Sequence, residues 1–252
     1  MSIAIVTGAS SGIGQSAAIQ LAARGSGVIL TYNGNADGAD DTVAAIEDAG
    51  GTAVALRLDT GRSETFAEFT TEVKDVLAEK WGSLTFNTLV NNAGFGESSP
   101  FESTSEDMFD RLYRVNVKGP YFLTQHLLPL LDDGGSIITT ASNSSMPSGI
   151  EPGYSAYGSL KGAIPVFTSY LAKELSVRGI RVNAIAPGAT RTRLGGDAFA
   201  KYPQAVQMMA DRTLLGRIGE PDDIGKVITF LASDDGAWIT AQTIEVAGGY
   251  GL

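Results

Sequence analysis

The sequence contains no cysteine and a single histidine, His126. The first absence excludes disulfides, thiolate catalysis and cysteine-ligated zinc. The second removes multi-histidine metal centres and most Ser-His-Asp hydrolases, so no metal site is expected. Positive charge is also scarce. Against 28 Asp and Glu stand 18 Lys and Arg, a formal net charge of -10. Nucleic-acid and anionic-membrane surfaces need clustered basic residues to neutralise phosphates, so neither partner is expected. A phosphate-bearing small molecule is still compatible, because backbone N–H groups bind phosphate without basic side chains. No apolar run approaches the ~18 residues that a bilayer span requires. The chain enters an apolar stretch at once, Ile3-Ala4-Ile5-Val6, with no basic leader ahead of it. A cytoplasmic protein is therefore expected.

What is present is an ordinary globular composition, 43% hydrophobic and 18% charged over 252 residues. That length suits one sizeable core, and no linker, repeat or low-complexity run divides it, so residues 1–252 are read as a single domain. Short apolar runs predict strands at 3–6, 28–32, 52–58, 88–91, 136–140, 181–186 and 243–246. Several are almost wholly apolar, as parallel strands covered on both faces must be. Between them, apolar residues at three- and four-residue spacing predict helices over 12–23, 40–49, 63–80 and 221–232. Two longer helices are predicted over 106–131 and 157–178, with Pro120 and Pro165 as sites for a kink. This alternation implies an α/β, doubly wound three-layer sandwich with a seven-stranded, mainly parallel sheet. The least patterned stretch, 188–215, follows a strand and reads as a substrate lid. Its Leu194, Phe199, Tyr202, Met208 and Met209 suggest a partly apolar substrate.

The segment Thr7-Gly8-Ala9-Ser10-Ser11-Gly12-Ile13-Gly14 follows the first strand and opens a helix. Glycines there allow a tight turn and let backbone approach a pyrophosphate closely, while the helix N-terminus offers unpaired N–H groups and partial positive charge. The strand–turn–helix setting is the one that a dinucleotide fingerprint demands.

The Gly-x-x-x-Gly-x-Gly spacing resembles that of the short-chain dehydrogenase/reductase family, and four more motifs follow in that family's order. These are Asn91-Asn92-Ala93-Gly94, Asn116-Val117-Lys118-Gly119, Tyr157-Gly158-Ser159-Leu160-Lys161, and Pro187-Gly188 with Thr190 and Thr192. The resemblance spans essentially the whole chain. It implies a Rossmann-like fold, reversible hydride transfer between a nicotinamide and a carbonyl/alcohol pair, and a homotetramer built through the two long helices and residues 243–252. It also implies cofactor contacts from Gly8, Ser10, Ser11, Gly12, Ile13, Gly14, Asn91, Ala93, Gly94, Tyr157, Lys161, Pro187, Gly188, Thr190 and Thr192. The end of the second strand bears on cofactor choice. NAD enzymes place an acid there for the ribose 2′-hydroxyl; here Tyr32 and Asn33 occupy the position. The missing acid favours NADP over NAD, although Ser11 stands where many NADP-using relatives carry a basic residue. Asn33, Asn35 and nearby backbone are the neutral donors left for a 2′-phosphate. Asp59 is read either as an adenine contact or as a cap for the following helix.

Tyr157 and Lys161 are one helical turn apart and share a face. An adjacent ammonium favours a phenolate, so Lys161 is expected to lower the pKa of Tyr157 and make it a general acid/base. Two positions compete for the serine that orients a carbonyl oxygen. Strand register from Gly135 selects Ser142; counting back from Tyr157 selects Ser144. A strand is more rigid than the loop that follows, which favours Ser142. By resemblance Asn116 completes the set, its mid-helix backbone helping to hold a water beside the lysine. His126 and Trp238 are read as packing residues. Tyr154 is read as pocket lining or packing, Asp40-Asp41 as a helix start and Asp132-Asp133 as a solvated turn. Reductases of 3-oxoacyl carriers are functional cousins, with Arg111, Arg114 and Lys118 as either a docking patch or a solvated helix face. The reading is an NAD(P)-dependent oxidoreductase with a small carbonyl/alcohol substrate. The alternatives are a non-catalytic, dinucleotide-sensing regulator of the same fold and an enzyme performing dehydration or epimerisation.

Overall fold

A computed structural model of the chain describes residues 2–192, 199 and 201–252. Seven strands form one sheet: β1 Ile3–Val6, β2 Gly27–Tyr32, β3 Ala53–Arg57, β4 Phe86–Asn91, β5 Leu131–Thr140, β6 Arg181–Pro187 and β7 Thr243–Val246. Their order is β3-β2-β1-β4-β5-β6-β7, and every pairing is parallel. The order reverses between β1 and β4. Ligands of open parallel sheets bind at the carboxyl ends of strands beside such a switch point.

The strands are apolar on both faces because both are covered. Ile3 and Ile5 of β1 join one core cluster with Phe66, Phe69, Val73 and Leu77 of α3 (Phe66–Trp81). Alternate residues Ala4 and Val6 join the opposite cluster, with Ala17, Ala18 and Leu21 of α1 (Gly12–Ala23). Two-residue periodicity thus sends successive side chains into different layers. Helix α2 (Ala36–Asp48) begins four residues before the expected Asp40, because Asn35 Oδ1 accepts from Gly38 N and caps it there.

Both long predicted helices are interrupted. The first comprises α4 (Glu106–Tyr113), a π-helical stretch at Arg114–Lys118 and α5 (Gly119–Leu127). Pro120 has no N–H for the carbonyl of Asn116 four residues back, so the α ladder cannot run through this point. A π-bulge is a common resolution. The second comprises α6 (Ser155–Lys161) and α7 (Ala163–Leu175), with Gly162 between them and Pro165 in the first turn of α7. Two further helices, α8 (Pro203–Asp211) and α9 (Pro221–Ala232), follow β6. Helix α9 packs tightly on α1: a methyl on Gly225 would lie 2.4 Å from Ser16 Oγ, and Ser16 donates to Asp222 Oδ1 at 2.6 Å.

Trp238 departs from its expected place in the core; it is fully exposed. It lies in the connection between α9 and β7, outside both layers that the sheet buries. His126 does pack, its ring meeting Phe66 edge-on at 6.1 Å.

The glycine turn is held by close approach. A Cβ on Gly14 would stand 2.4 Å from Gly8 O and 2.5 Å from Asn92 Nδ2. Neither neighbour can yield, one being backbone and the other hydrogen-bonded. Gly14→Ala is expected to destabilise the protein by about 1–3 kcal/mol, as overpacking does. Urea midpoints of the two proteins would measure this, and an unchanged midpoint would contradict the packing argument.

Candidate active site

The carboxyl ends of β1, β4 and β5 are joined by one buried polar network. Thr7 Oγ1, at the end of β1, donates to Val90 O at 3.3 Å and accepts from Asn92 N and Ala93 N, both at 2.9 Å. Asn92 Nδ2 then donates to Thr7 O at 3.1 Å and Gly8 O at 3.2 Å, seating the glycine turn. Asn92 Oδ1 accepts from Thr140 Oγ1 at 3.4 Å. On β5 the carbonyl of Thr140 accepts from Lys161 Nζ at 2.8 Å. Thr7 and Asn92 are the residues that sequence reasoning passed over. Asn92 was visible within its motif, but nothing in the residue string shows which of the two asparagines turns toward the loop. Asn91, an expected cofactor residue, points its amide the other way and donates to Thr124 Oγ1 at 2.9 Å. Its side chain therefore braces β4 against α5.

The expected catalytic residues converge. Tyr157 and Lys161, on α6, are buried, as are Asn116 and Ser142. The Lys161 Nζ lies 5.9 Å from the Tyr157 ring centroid. A methyl on Gly94 would lie 2.8 Å from Asn116 Oδ1 and 3.5 Å from Lys161 Nζ, so glycine keeps this space open. Asn116 Nδ2 donates to Phe95 O and Leu112 O, at 3.0 and 3.1 Å. Its Oδ1 is buried without a partner. The two candidate serines are not equivalent. Ser142 lies near enough to the Tyr157 hydroxyl to pull its pKa down, and its Oγ accepts from Ser144 N at 3.1 Å. Ser144 presents its backbone to α6: its carbonyl would stand 2.7 Å from a methyl on Gly158.

One electrostatic expectation is reversed. Burial pushes the Tyr157 hydroxyl up to about 12, against a downward pull from Ser142. Lys161 does not lower it, because burial disfavours its own charge and brings the ammonium down to about 8. In a site this dry, desolvation outweighs an ammonium 5.9 Å from the ring. The residues alone thus hold the phenol firmly protonated, as a proton donor requires.

Other expected residues fall around the turn. Ser10, Ser11 and Gly12 line a cleft of about 630 Å³ with Arg191, Thr192 and Phe199. Ile13 and Gly14 form the first turn of α1. A Cβ on Gly12 would stand 3.2 Å from Thr192 Cγ2, so Thr192 faces the turn. Thr190 Oγ1 donates to Gly188 O at 2.9 Å, fixing the bend after Pro187. Asp59 Oδ1 accepts from Gly61 N at 2.9 Å, which is the cap-like alternative. Asn35 is occupied, since its amide also donates to Ser10 O at 3.1 Å. Of the expected lid, 188–215, residues 193–198 and 200 lie outside the described residues, Leu194 among them. Tyr154 stands edge-on to Tyr157 at 6.4 Å and is partly exposed. Glu151, in the loop before it, pairs with Arg212 and accepts from Tyr250 Oη at 3.0 Å, tying that loop to the C-terminal residues. The basic patch is neutralised in part: Arg111 pairs with Glu97 at 2.9 Å and Asp107 at 3.0 Å.

The arrangement fits a dinucleotide. A glycine cradle lies beside a helix N-terminus, and a buried lysine, tyrosine, serine and unpartnered amide oxygen lie at the next strand ends. No His/Cys/Asp/Glu cluster among the described residues would hold a metal. No helix among them is long and apolar enough to cross a membrane.

Similarity to known proteins agrees with this geometry. Residues 8–251 match the family profile described as enoyl-(acyl carrier protein) reductase. A versicolorin reductase of Emericella nidulans is 34% identical over 98% of this chain and 94% of its own length. The solved structure of LugOII, a promiscuous reductase catalysing keto-reduction at C1 during lugdunomycin biosynthesis, has a TM-score of 0.94 at 38% identity, covering 100% of this chain and 98% of its own. The angucycline C-6 ketoreductase LanV, solved with bound NADP, has a TM-score of 0.94 at 34% identity, covering 100% and 96%.

The Lys161 shift makes a stability prediction. Folded Lys161 releases its proton near pH 8, whereas its ordinary value is 10.5. Between those values the unfolded chain binds the extra proton, so this group makes stability rise with pH there. Tyr157, raised from 10.0 to about 12, acts in the opposite sense only above pH 10. Urea midpoints of ligand-free protein from about pH 8 to 10 should therefore climb less in Lys161→Met than in the wild type. Equal slopes would contradict the buried-lysine assignment.

Proposed function

The chain belongs to the short-chain dehydrogenase/reductase family and is an NAD(P)-dependent oxidoreductase, and we propose that it is an NADPH-dependent ketoreductase acting on fused-ring aromatic ketones. The observation that carries the proposal is the buried Tyr157, one turn from the buried Lys161 on α6. When bound, the reduced nicotinamide supplies a hydride to the carbonyl carbon. Ser142 orients the carbonyl oxygen and stabilises the charge that grows on it. Tyr157 gives its proton to that oxygen, which as an alkoxide is a far stronger base than a phenolate. Lys161 holds the ribose hydroxyls, and the Asn116 region holds a water that links the lysine to solvent. The glycine turn from Gly8 to Gly14 cradles the pyrophosphate. Tyr32, Asn33 and Asp59 flank the adenosine. Backbone at Asn91, Ala93 and Gly94, with Pro187, Gly188, Thr190 and Thr192, flanks the ribose and nicotinamide.

NADP is favoured by the missing carboxylate at the end of β2, since a carboxylate would repel a 2′-phosphate; the NADP-bound angucycline ketoreductase supports the same choice. The substrate class rests on the versicolorin and angucycline reductases and on aromatic residues near Tyr157. Phe95 packs against the Tyr157 cluster and Tyr154 stands beside it. Both offer faces for a flat ring system. Residues 201–215 of the expected lid border this substrate within a single catalytic domain, 1–252. A cytoplasmic homotetramer completes the reading, supported by exposed Tyr121, Val166 and Tyr170 on α5 and α7 and by exposed Trp238. The sensing-regulator reading has no observation in its favour, since the proton-transfer groups are present together.

Three measurements test this. Tyr157→Phe is expected to lower kcat by about 10²–10⁴ while leaving NADPH affinity nearly unchanged. Ser142→Ala should cost far more activity than Ser144→Ala; the reverse order would move the oxygen-orienting role to Ser144. On a substrate panel followed by absorbance of the reduced cofactor, fused-ring quinones and naphthalenones should outperform short aliphatic ketones and acyl thioesters. Faster turnover of acyl thioesters would overturn the substrate class.

A further inference from the structure

We propose that Arg57, on the edge strand β3, is the side chain that binds the 2′-phosphate and so sets the preference for NADP; this rests on the NADPH reading above. The position of Arg57 is the first argument. It is the registered neighbour of Tyr32, the last residue of β2. The end of that strand is where a dinucleotide fold reads the ribose 2′-position. Arg57 Nε donates to Asn33 O at 3.3 Å, which draws the guanidinium across to the turn after β2. The two terminal nitrogens are left for a ligand, and the fork geometry of a guanidinium matches phosphate oxygens. Anchoring through Nε also fixes part of a long side chain in advance and lowers the entropic cost of binding.

The charge balance around it is the second argument. Most described arginines of this acidic chain hold a carboxylate, as Arg24, Arg62, Arg191 and Arg217 do. Among the described residues Arg57 meets only the Asn33 carbonyl. The acids nearby are otherwise placed. Asp59 accepts from Gly61 N, and Asp37 lines the cleft on the Ser10 side of Asn35.

Elimination is the third argument. Asn35 spends one amide hydrogen on Ser10 O and its oxygen on a helix cap, so it keeps a single neutral N–H to offer a phosphate. Ser11 brings no charge. Arg191 shares the cleft with the glycine turn but is held by Glu220, whereas Arg57 stands beside the end of β2 with no carboxylate partner among the described residues. A simpler role for an exposed edge-strand arginine is to blunt the sheet edge against pairing with another chain. That role would leave cofactor discrimination untouched, which is what the experiment separates.

The test is calorimetric titration of the full chain with 2′,5′-ADP, 5′-ADP, NADPH and NADH. Arg57→Gln should weaken 2′,5′-ADP and NADPH by about tenfold to a hundredfold, the range of one charge-assisted hydrogen-bonded contact. Its affinities for 5′-ADP and NADH should stay at wild-type level, which also reports an intact fold. Arg57→Lys should fall between, keeping the charge without the fork. Arg62→Gln, a nearby exposed arginine paired with Glu64, should change none of the four. If Arg57→Gln keeps the full preference for 2′,5′-ADP, the assignment of Arg57 is overturned and the NADPH reading stands. If the wild type itself does not distinguish 2′,5′-ADP from 5′-ADP, the NADPH reading is overturned and this assignment with it.

Discussion

The Thr7 hydroxyl is the point on which the site depends. It is buried at the end of β1, donates to β4 and accepts from two successive N–H groups just beyond β4. Those bonds place Asn92 where its amide reaches back to the carbonyls of Thr7 and Gly8, and they bring its oxygen within reach of Thr140 on β5. Thr140 in turn receives Lys161. A continuous path therefore runs from the glycine turn to the buried lysine across three neighbouring strands. Each member is satisfied by the next, and in a low-dielectric interior such networks act as a unit. The glycine turn and the buried Tyr157–Lys161 helix are thus fixed relative to one another through the ends of three neighbouring strands.

Burial decides how that site behaves. Tyr157 and Lys161 are both nearly inaccessible, and desolvation moves them in opposite directions, each toward its neutral form. An exposed tyrosine one turn from an exposed lysine would show the reverse tendency, with the ammonium favouring phenolate. The protein instead keeps a protonated phenol near Ser142. This state suits delivery of a proton to a forming alkoxide.

Much of the fold was legible in the residues. Strands covered on two faces must be apolar at every position, so β1, β2 and β6 read as continuous hydrophobic runs with their bounds nearly right. Helix α9 was read to the residue, because Pro221 opens it and a clear apolar stripe sustains it. The two long helices were read as continuous with Pro120 and Pro165 as sites for a kink, and the breaks fall beside those prolines, although apolar spacing continues through Arg114–Lys118 and across Gly162. The π-bulge follows from the hydrogen bond that Pro120 cannot give, a backbone effect that periodicity does not carry. Trp238 was misplaced for a related reason: size and hydrophobicity argue for burial, but its connection runs outside both layers.

By itself, the sequence determined the alternation of strand and helix, the glycine turn at the first strand's end and the tyrosine–lysine pair on one helical face. All three follow from local spacing, which short-range geometry converts directly into structure. Only the tertiary structure set Ser142 beside Tyr157, turned Asn92 rather than Asn91 toward the turn, and brought Arg57 beside Asn33. It also reversed the expected ionisation of Tyr157. These depend on which strands lie side by side and on how completely water is excluded between them. Strand pairing joins residues far apart in the chain, and desolvation is a property of the packed whole, so neither is written in the spacing of nearby residues.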